Sequence, residues 1–169
     1  MKPIEGYNKL RGGYYTPEKI AEFIATWAIR TKNDEILEPS CGDGSFISAI
    51  ADRLHKMGAS DQSIKHNVTG VELDKVEASK ASQYGPNVVQ SDFFTYYQKC
   101  IDGEKEFDVI VGNPPFIRYQ NFEEEYRKVA FELMTKHGFQ PNRLMNIWLP
   151  FLVLACKALK PDGRVGMVI

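Results

Sequence analysis

Phe107-Asp108-Val109-Ile110-Val111-Gly112 runs straight into Asn113-Pro114-Pro115-Phe116, and the fold is decided there. An apolar run with β-branched residues reads as a buried strand. Two successive prolines end it, because neither can donate a ladder hydrogen bond and each fixes its own φ. The product is a rigid loop at a strand's C-terminal end, displaying one amide side chain and one aromatic ring. In open α/β sheets, ligands bind at that end.

Upstream, the chain supplies neighbours for this loop. Glu35-Ile36-Leu37 is a short first strand, followed by the turn Glu38-Pro39-Ser40-Cys41-Gly42-Asp43-Gly44-Ser45-Phe46. A helix then runs to about Lys56, with Phe46, Ile47, Ile50, Ala51 and Leu54 on one face. Strand, glycine turn and helix open a nucleotide-binding βαβ unit. The spacing is not GxGxxG and no Lys-Ser/Thr pair follows, so a nucleoside without a phosphate chain suits the turn better than a nucleotide does.

Asn67-Val68-Thr69-Gly70-Val71-Glu72 is the second strand and ends in an acid. Glu72 falls close to where a dinucleotide fold keeps its ribose-binding carboxylate. The plainer alternative is a helix-capping acid, since Asp74 begins the next helix, to about Tyr84. Asn87-Val88-Val89-Gln90 is a third strand ending in Ser91-Asp92-Phe93-Phe94. There Asp92 suits the exocyclic amine of an adenine and Phe93 its ring face, while Phe94 reads as core.

The first helix signal is Thr16-Pro17-Glu18, with Thr16 as N-cap, Pro17 at the first position and Glu18 complementing the dipole. Ile20, Phe23, Ile24, Trp27 and Ala28 then predict a buried stripe to about Arg30. Residues 1–15, with Arg11-Gly12-Gly13-Tyr14-Tyr15, read as an arm. Downstream, Phe122 to Lys136 is a charged helical stretch with a solvated face. A long helix is expected from about Arg143 to Leu159, burying Leu144, Ile147, Trp148, Phe151, Leu152, Leu154 and Ala155 and kinked at Pro150. Cys100 to Glu106 and Lys160-Pro161-Asp162-Gly163 read as turns, and Arg164 to Ile169 as a fifth strand.

Strands alternating with helices predict an α/β fold with a doubly wound, mainly parallel sheet, in one domain over residues 1–169. A strand at the very end leaves a sheet edge to be covered, so the chain is expected to be part of a larger polypeptide or assembly. Its 169 residues, 43% hydrophobic and 25% charged, are ordinary for a globular domain. No apolar run is long enough for a membrane span, and no signal peptide opens the chain. Cys41, Cys100 and Cys156 show no zinc spacing and suit a reducing, cytoplasmic compartment. A net charge of −1 excludes a strong chain-wide attraction to nucleic acid. No metal ligand set and no covalent nucleophile stands out.

Taken in order, Thr16-Pro17, Glu38-Pro39-Ser40-Cys41-Gly42-Asp43-Gly44, Val71-Glu72-Leu73-Asp74, Ser91-Asp92-Phe93-Phe94 and Gly112-Asn113-Pro114-Pro115-Phe116 resemble the S-adenosylmethionine-dependent DNA adenine-N6 methyltransferases. The resemblance is to the gamma class of bacterial restriction–modification systems, in a Rossmann-like catalytic domain lacking its C-terminal part.

That resemblance implies S-adenosyl-L-methionine as cofactor. Thr16, Glu38, Pro39, Cys41, Gly42 and Gly44 would lie at its methionine end, Glu72 at the ribose, Leu73, Asp92 and Phe93 at the adenine, and Asn113 beside it. For catalysis it implies that Asn113 and the Pro114 carbonyl accept from the target amine and that Phe116 stacks on the flipped base. More loosely it places Asn146 and Trp148 near the site. The implied partners are double-stranded DNA, gripped through parts absent from this chain, and a restriction or specificity module. The rival readings are a glutamine or RNA-base methyltransferase sharing the Asn-Pro-Pro-aromatic motif, and a non-catalytic cofactor-binding scaffold. A nicotinamide-dependent oxidoreductase is more distant, because the glycine fingerprint is wrong.

Overall fold

The computed structural model describes residues 16–142 and 144–169; the arm expected over 1–15 and the helix start expected at Arg143 lie outside them. Five strands, β1 (Ile36–Glu38), β2 (Val68–Glu72), β3 (Asn87–Gln90), β4 (Phe107–Gly112) and β5 (Leu159–Met167), form one sheet in the order β3-β2-β1-β4-β5. Every pairing is parallel. The chain winds outward from β1 to β3, then returns to β4 on the other side of β1. The reversal leaves a crevice between the C-terminal ends of β1 and β4.

Alternation along the strands divides the core in two. Ile36, Val68, Val109 and Val111 face one apolar layer, with α1 (Glu18–Ala28), α2 (Ser45–Lys56) and α3 (Asp61–Asn67). Leu37, Val71, Phe107 and Ile110 face the other, with α5 (Phe93–Cys100), α6 (Glu124–Lys136) and α7 (Trp148–Lys157). Helix α4 (Lys75–Ala81) completes the first layer through Ala81. Period-two side chains on strands buried on both faces give this doubly wound arrangement.

Several local expectations need correction. Helix α1 ends at Ala28 and buries Ala21, Ala25 and Ala28, while Ile20, Phe23 and Trp27 are exposed. The alanines let α1 lie close: a Cβ on Gly166 of β5 would already meet Ile24 at 2.7 Å. Thr16 is not its cap. Pro17 holds that position and makes no side-chain cap bond.

Helices α3 and α5 arise where no helix was read. Ser60 caps α3 through Ser63 N, and Asp92 caps α5 through Thr95 N. The last helix starts only at Trp148, so Pro150 lies in its first turn, where its missing N–H costs nothing and no kink is needed. Leu144 precedes that helix and is 84% exposed, and Leu152 is half-buried. Strand β5 begins at Leu159, opposite Phe107, slips register over the expected turn at residues 160–163, and resumes at Arg164 opposite Val109.

Candidate active site

The turn after β1 and the loop after β4 meet at the crevice, and the end of β2 lies alongside. Glu38 closes β1 and is fully buried. Its Oε1 accepts from Ser40 N at 3.3 Å, and Oε2 has no hydrogen-bond partner among the described residues. Burial, aided by the charge of Glu72, holds its carboxyl well above the usual carboxylate range despite the Ser40 N–H. A buried acceptor without a donor is costly unless a ligand brings one.

After Pro39, the chain turns through Gly42 at φ +53° and Gly44 at φ +102°, left-handed values that favour glycine. Nothing lies within 4 Å of where a Cβ on Gly42 would stand, so the backbone there is open to a close approach. At Gly44 a Cβ would strike the Tyr84 ring at 2.7 Å. Cys41 is buried in the same turn, and its N–H is held by the Val71 carbonyl at 2.9 Å. Burial pushes its thiol up, so this is a packed cysteine rather than a nucleophile.

Glu72 is not a helix cap. Its Oε2 accepts from Gly42 N at 2.9 Å and its Oε1 from Asp74 N at 2.7 Å, while Asp74 caps α4 through Val76 and Glu77. The first contact ties the end of β2 to the glycine turn. Each carboxylate oxygen keeps a second lone pair, so a carboxylate anchored this way can still accept from a vicinal diol. Burial raises its pKa, opposed by those two N–H donors. Leu73, next to it, is exposed just past the strand end.

Asp92 and Phe93 stand differently from their sequence reading. Asp92 is buried with Oδ1 committed to the cap of α5. Phe93 is 2% exposed, stacked on Phe151 at 4.9 Å and edge-on to Tyr97. Its ring packs in the core, together with Phe94, against Phe151. The pair Phe93, Phe94 with Tyr97 four residues on was the helical signal that the sequence reading passed over.

At the β4 loop, the Asn113 side-chain Nδ2 donates to Thr16 Oγ1 at 3.1 Å. Ser40 Oγ donates to the Asn113 main-chain carbonyl at 3.3 Å. The first contact explains why Thr16 is buried without capping α1. Ser40 was not singled out from sequence, because a serine in a glycine turn has too many ordinary roles. Pro114 is buried, while Pro115 and Phe116 are half-buried.

Beyond Phe116 the loop is braced by a short antiparallel bridge between Arg118 and Asn146. Tyr119 N donates to Met145 O at 3.0 Å and Ile147 N to Ile117 O at 2.8 Å. Asn146 Oδ1 in turn accepts from Trp148 N at 3.3 Å. Asn146 therefore lies beside the loop, and Trp148 follows it at the start of α7.

Thr16, the residues 38–44, Glu72, Leu73 and Asn113–Phe116 thus gather at one end of the sheet. No group of three or more His, Cys, Asp or Glu side chains that could hold a metal occurs among the described residues, and no helix there is long and apolar enough to cross a membrane. Two buried acidic side chains, Glu38 with an orphaned oxygen and Glu72 with spare lone pairs, beside an open glycine turn, fit a ligand that carries hydrogen-bonding groups.

Comparison with known proteins agrees with this reading of the fold. The chain is 33% identical over 156 residues to the type II methyltransferase M.HincII of Haemophilus influenzae, covering 91% of this chain and 26% of the relative. The chain thus spans about a quarter of that protein's length. Among solved structures, a chain of the DrdV–DNA complex superposes with a TM-score of 0.71 at 20% identity, covering 97% of this chain and 21% of that one. A Listeria monocytogenes protein solved under the name of a class I S-adenosylmethionine-dependent methyltransferase gives 0.67 at 17% identity, covering 94% and 47%. The sequence profile described as N-6 DNA Methylase matches residues 4–169. The chain belongs to the N-6 DNA methylase family.

Proposed function

We propose that this chain is the S-adenosylmethionine-binding and methyl-transferring part of a site-specific DNA adenine-N6 methyltransferase of a restriction–modification system. The observation that carries it is the pair of contacts on Asn113, from Thr16 and Ser40, beside the acidic glycine turn. A strand-end loop is held by the same elements that would hold the cofactor.

S-adenosylmethionine supplies an activated methyl group on a positively charged sulfur. Glu38 and the Gly42–Gly44 turn would hold its methionine end, Glu72 its ribose hydroxyls, and Leu73 and the buried Asp92 the region of its adenine. Thr16 closes the site from the α1 side.

An adenine's exocyclic nitrogen is a poor nucleophile, since its lone pair is delocalised into the ring. An amide whose nitrogen donates to Thr16 offers its oxygen as the acceptor end. Asn113 Oδ1 and the Pro114 carbonyl would accept the two amine hydrogens, drawing the nitrogen towards tetrahedral geometry and stabilising the positive charge that develops on it. Fixed acceptors cost no reorganisation at the moment of transfer, and positioning does most of the rest. In a duplex that nitrogen is out of reach, so the base must flip out and stack, here on Phe116.

With a net charge of −1, the grip on double-stranded DNA would come from other parts of the protein. M.HincII is named a type II methyltransferase and DrdV is solved with DNA, which supports DNA as substrate. Three free cysteines suit a cytoplasmic setting. The test is a tritiated-methyl assay of the full-length protein on DNA, RNA and a glutamine-bearing protein. Methyl should enter DNA alone, and Asn113→Ala should abolish it while calorimetry still shows cofactor binding. Activity retained in that variant would sink the assignment.

A further inference from the structure

Ser40 stands between the two loops of the crevice. Its N–H donates to Glu38 Oε1 and its hydroxyl to the carbonyl of Asn113, each at 3.3 Å, the second across 73 residues. No role in binding or chemistry has so far fallen to this side chain.

The residues it touches explain what it can do. Asn113 precedes Pro114, and Pro114 precedes Pro115, so both are confined to extended backbone. Each proline also fixes its own φ. Inside the loop, therefore, the carbonyls of Asn113 and Pro114 keep a set angle to each other. The prolines leave open the swing of the loop as a body about Gly112, whose missing Cβ gives it a wide choice of φ and ψ. Val168 N holds the Gly112 carbonyl at 3.1 Å, one peptide before the loop begins. The next carbonyl is the one that Ser40 holds.

We infer that Ser40 is a positioning residue for methyl transfer: by fixing the Asn113 carbonyl, it aims the Pro114 carbonyl and the Asn113 amide at the target amine. This rests on the roles proposed above for Asn113 and Pro114. Thr16 acts on the side chain of Asn113 and Ser40 on its main chain, so the two effects are separable. Because the Ser40 N–H sits on Glu38, the loop facing the target also follows any shift of the turn that would carry the cofactor.

Single-turnover methyl transfer to duplex DNA by the full-length protein tests this. Ser40→Ala should slow the transfer step about three- to tenfold, the worth of one neutral hydrogen bond. Affinity for S-adenosylhomocysteine by calorimetry should stay within about twofold, and the melting temperature should fall by no more than a few degrees. Ser40→Thr, which keeps the hydroxyl, should recover most of the rate. If the alanine variant does not fold, Ser40→Cys, with its weaker donor, should show the same split.

A wild-type rate in Ser40→Ala, or a fall in cofactor affinity that accounts for the whole loss, overturns the inference. Asn113→Ala run alongside separates the two levels. If it is dead while Ser40→Ala is unimpaired, only the role of Ser40 fails; if it stays active, the assignment of the target loop fails with it.

Discussion

A Cβ on Gly112 would stand where the Glu38 carboxylate already is. The last residue of β4 and the last of β1 are packed so closely that one must lack a side chain for the other to keep its acid. Gly112→Ala would force a fully buried carboxylate aside, and Pro39 Cδ at 3.4 Å limits the escape. Overpacking of this kind costs about 1–3 kcal/mol. Urea unfolding should show a loss in that range; no loss would mean that Glu38 moves freely.

The acid itself gives a pH signature. Burial raises the folded-state pKa of Glu38 above its ordinary value of 4.5. The native state therefore keeps a proton that the unfolded chain has released. This group's contribution to stability is complete below about pH 4.5 and is lost as pH rises through the folded pKa. Glu38→Gln removes the titration, so its stability relative to wild type should climb as pH rises above about 4.5. A constant difference across urea unfolding curves in that range would contradict the raised pKa.

Thr16 should matter for rate rather than for the helix that follows it. Since α1 takes no side-chain cap from it, Thr16→Val should leave helix content unchanged. Losing the acceptor for Asn113 Nδ2 should lower methyl transfer about three- to tenfold, with Thr16→Ser close to wild type. Circular dichroism beside the transfer assay separates the two effects.

Phe93 and Leu73 should part company. Phe93 stacks on Phe151 in the core, so Phe93→Ala should cost about 3–5 kcal/mol. Leu73 is exposed, so Leu73→Ala should change stability by less than about 0.5 kcal/mol and show instead as weaker cofactor binding. Thermal unfolding and calorimetry on both variants make the comparison.

These contrasts mark what was legible in the chain. β1, β2 and β4 could be read because each is an apolar run with β-branched residues stopped by an acid or a glycine. The glycine turn, Glu72 and the Asn-Pro-Pro loop followed, since a parallel sheet brings strand ends together. Helix α1 was read rightly at Ile24 and Ala28 but wrongly at Ile20, Phe23 and Trp27, because most of its burial is carried by alanines, whose small apolar signal those larger residues drown. Helix α5 was hidden because an acid followed by two aromatics also looks like a ring-binding strand end, and only its packing against Phe151 decides. Contacts between loops distant in sequence, such as Ser40 to Asn113, have no local pattern at all.

The two bonds on Asn113 close loops of 97 residues, from Thr16, and 73 residues, from Ser40. Closing long loops is entropically costly and is repaid only once the intervening elements have packed. By this argument the two bonds on Asn113 are expected to form late in folding. A chain with β1 and β4 paired but α1 still undocked would have its crevice in outline and its amide untethered. On the proposed function, the geometry needed for methyl transfer is complete only once α1 has docked and both bonds to Asn113 have closed.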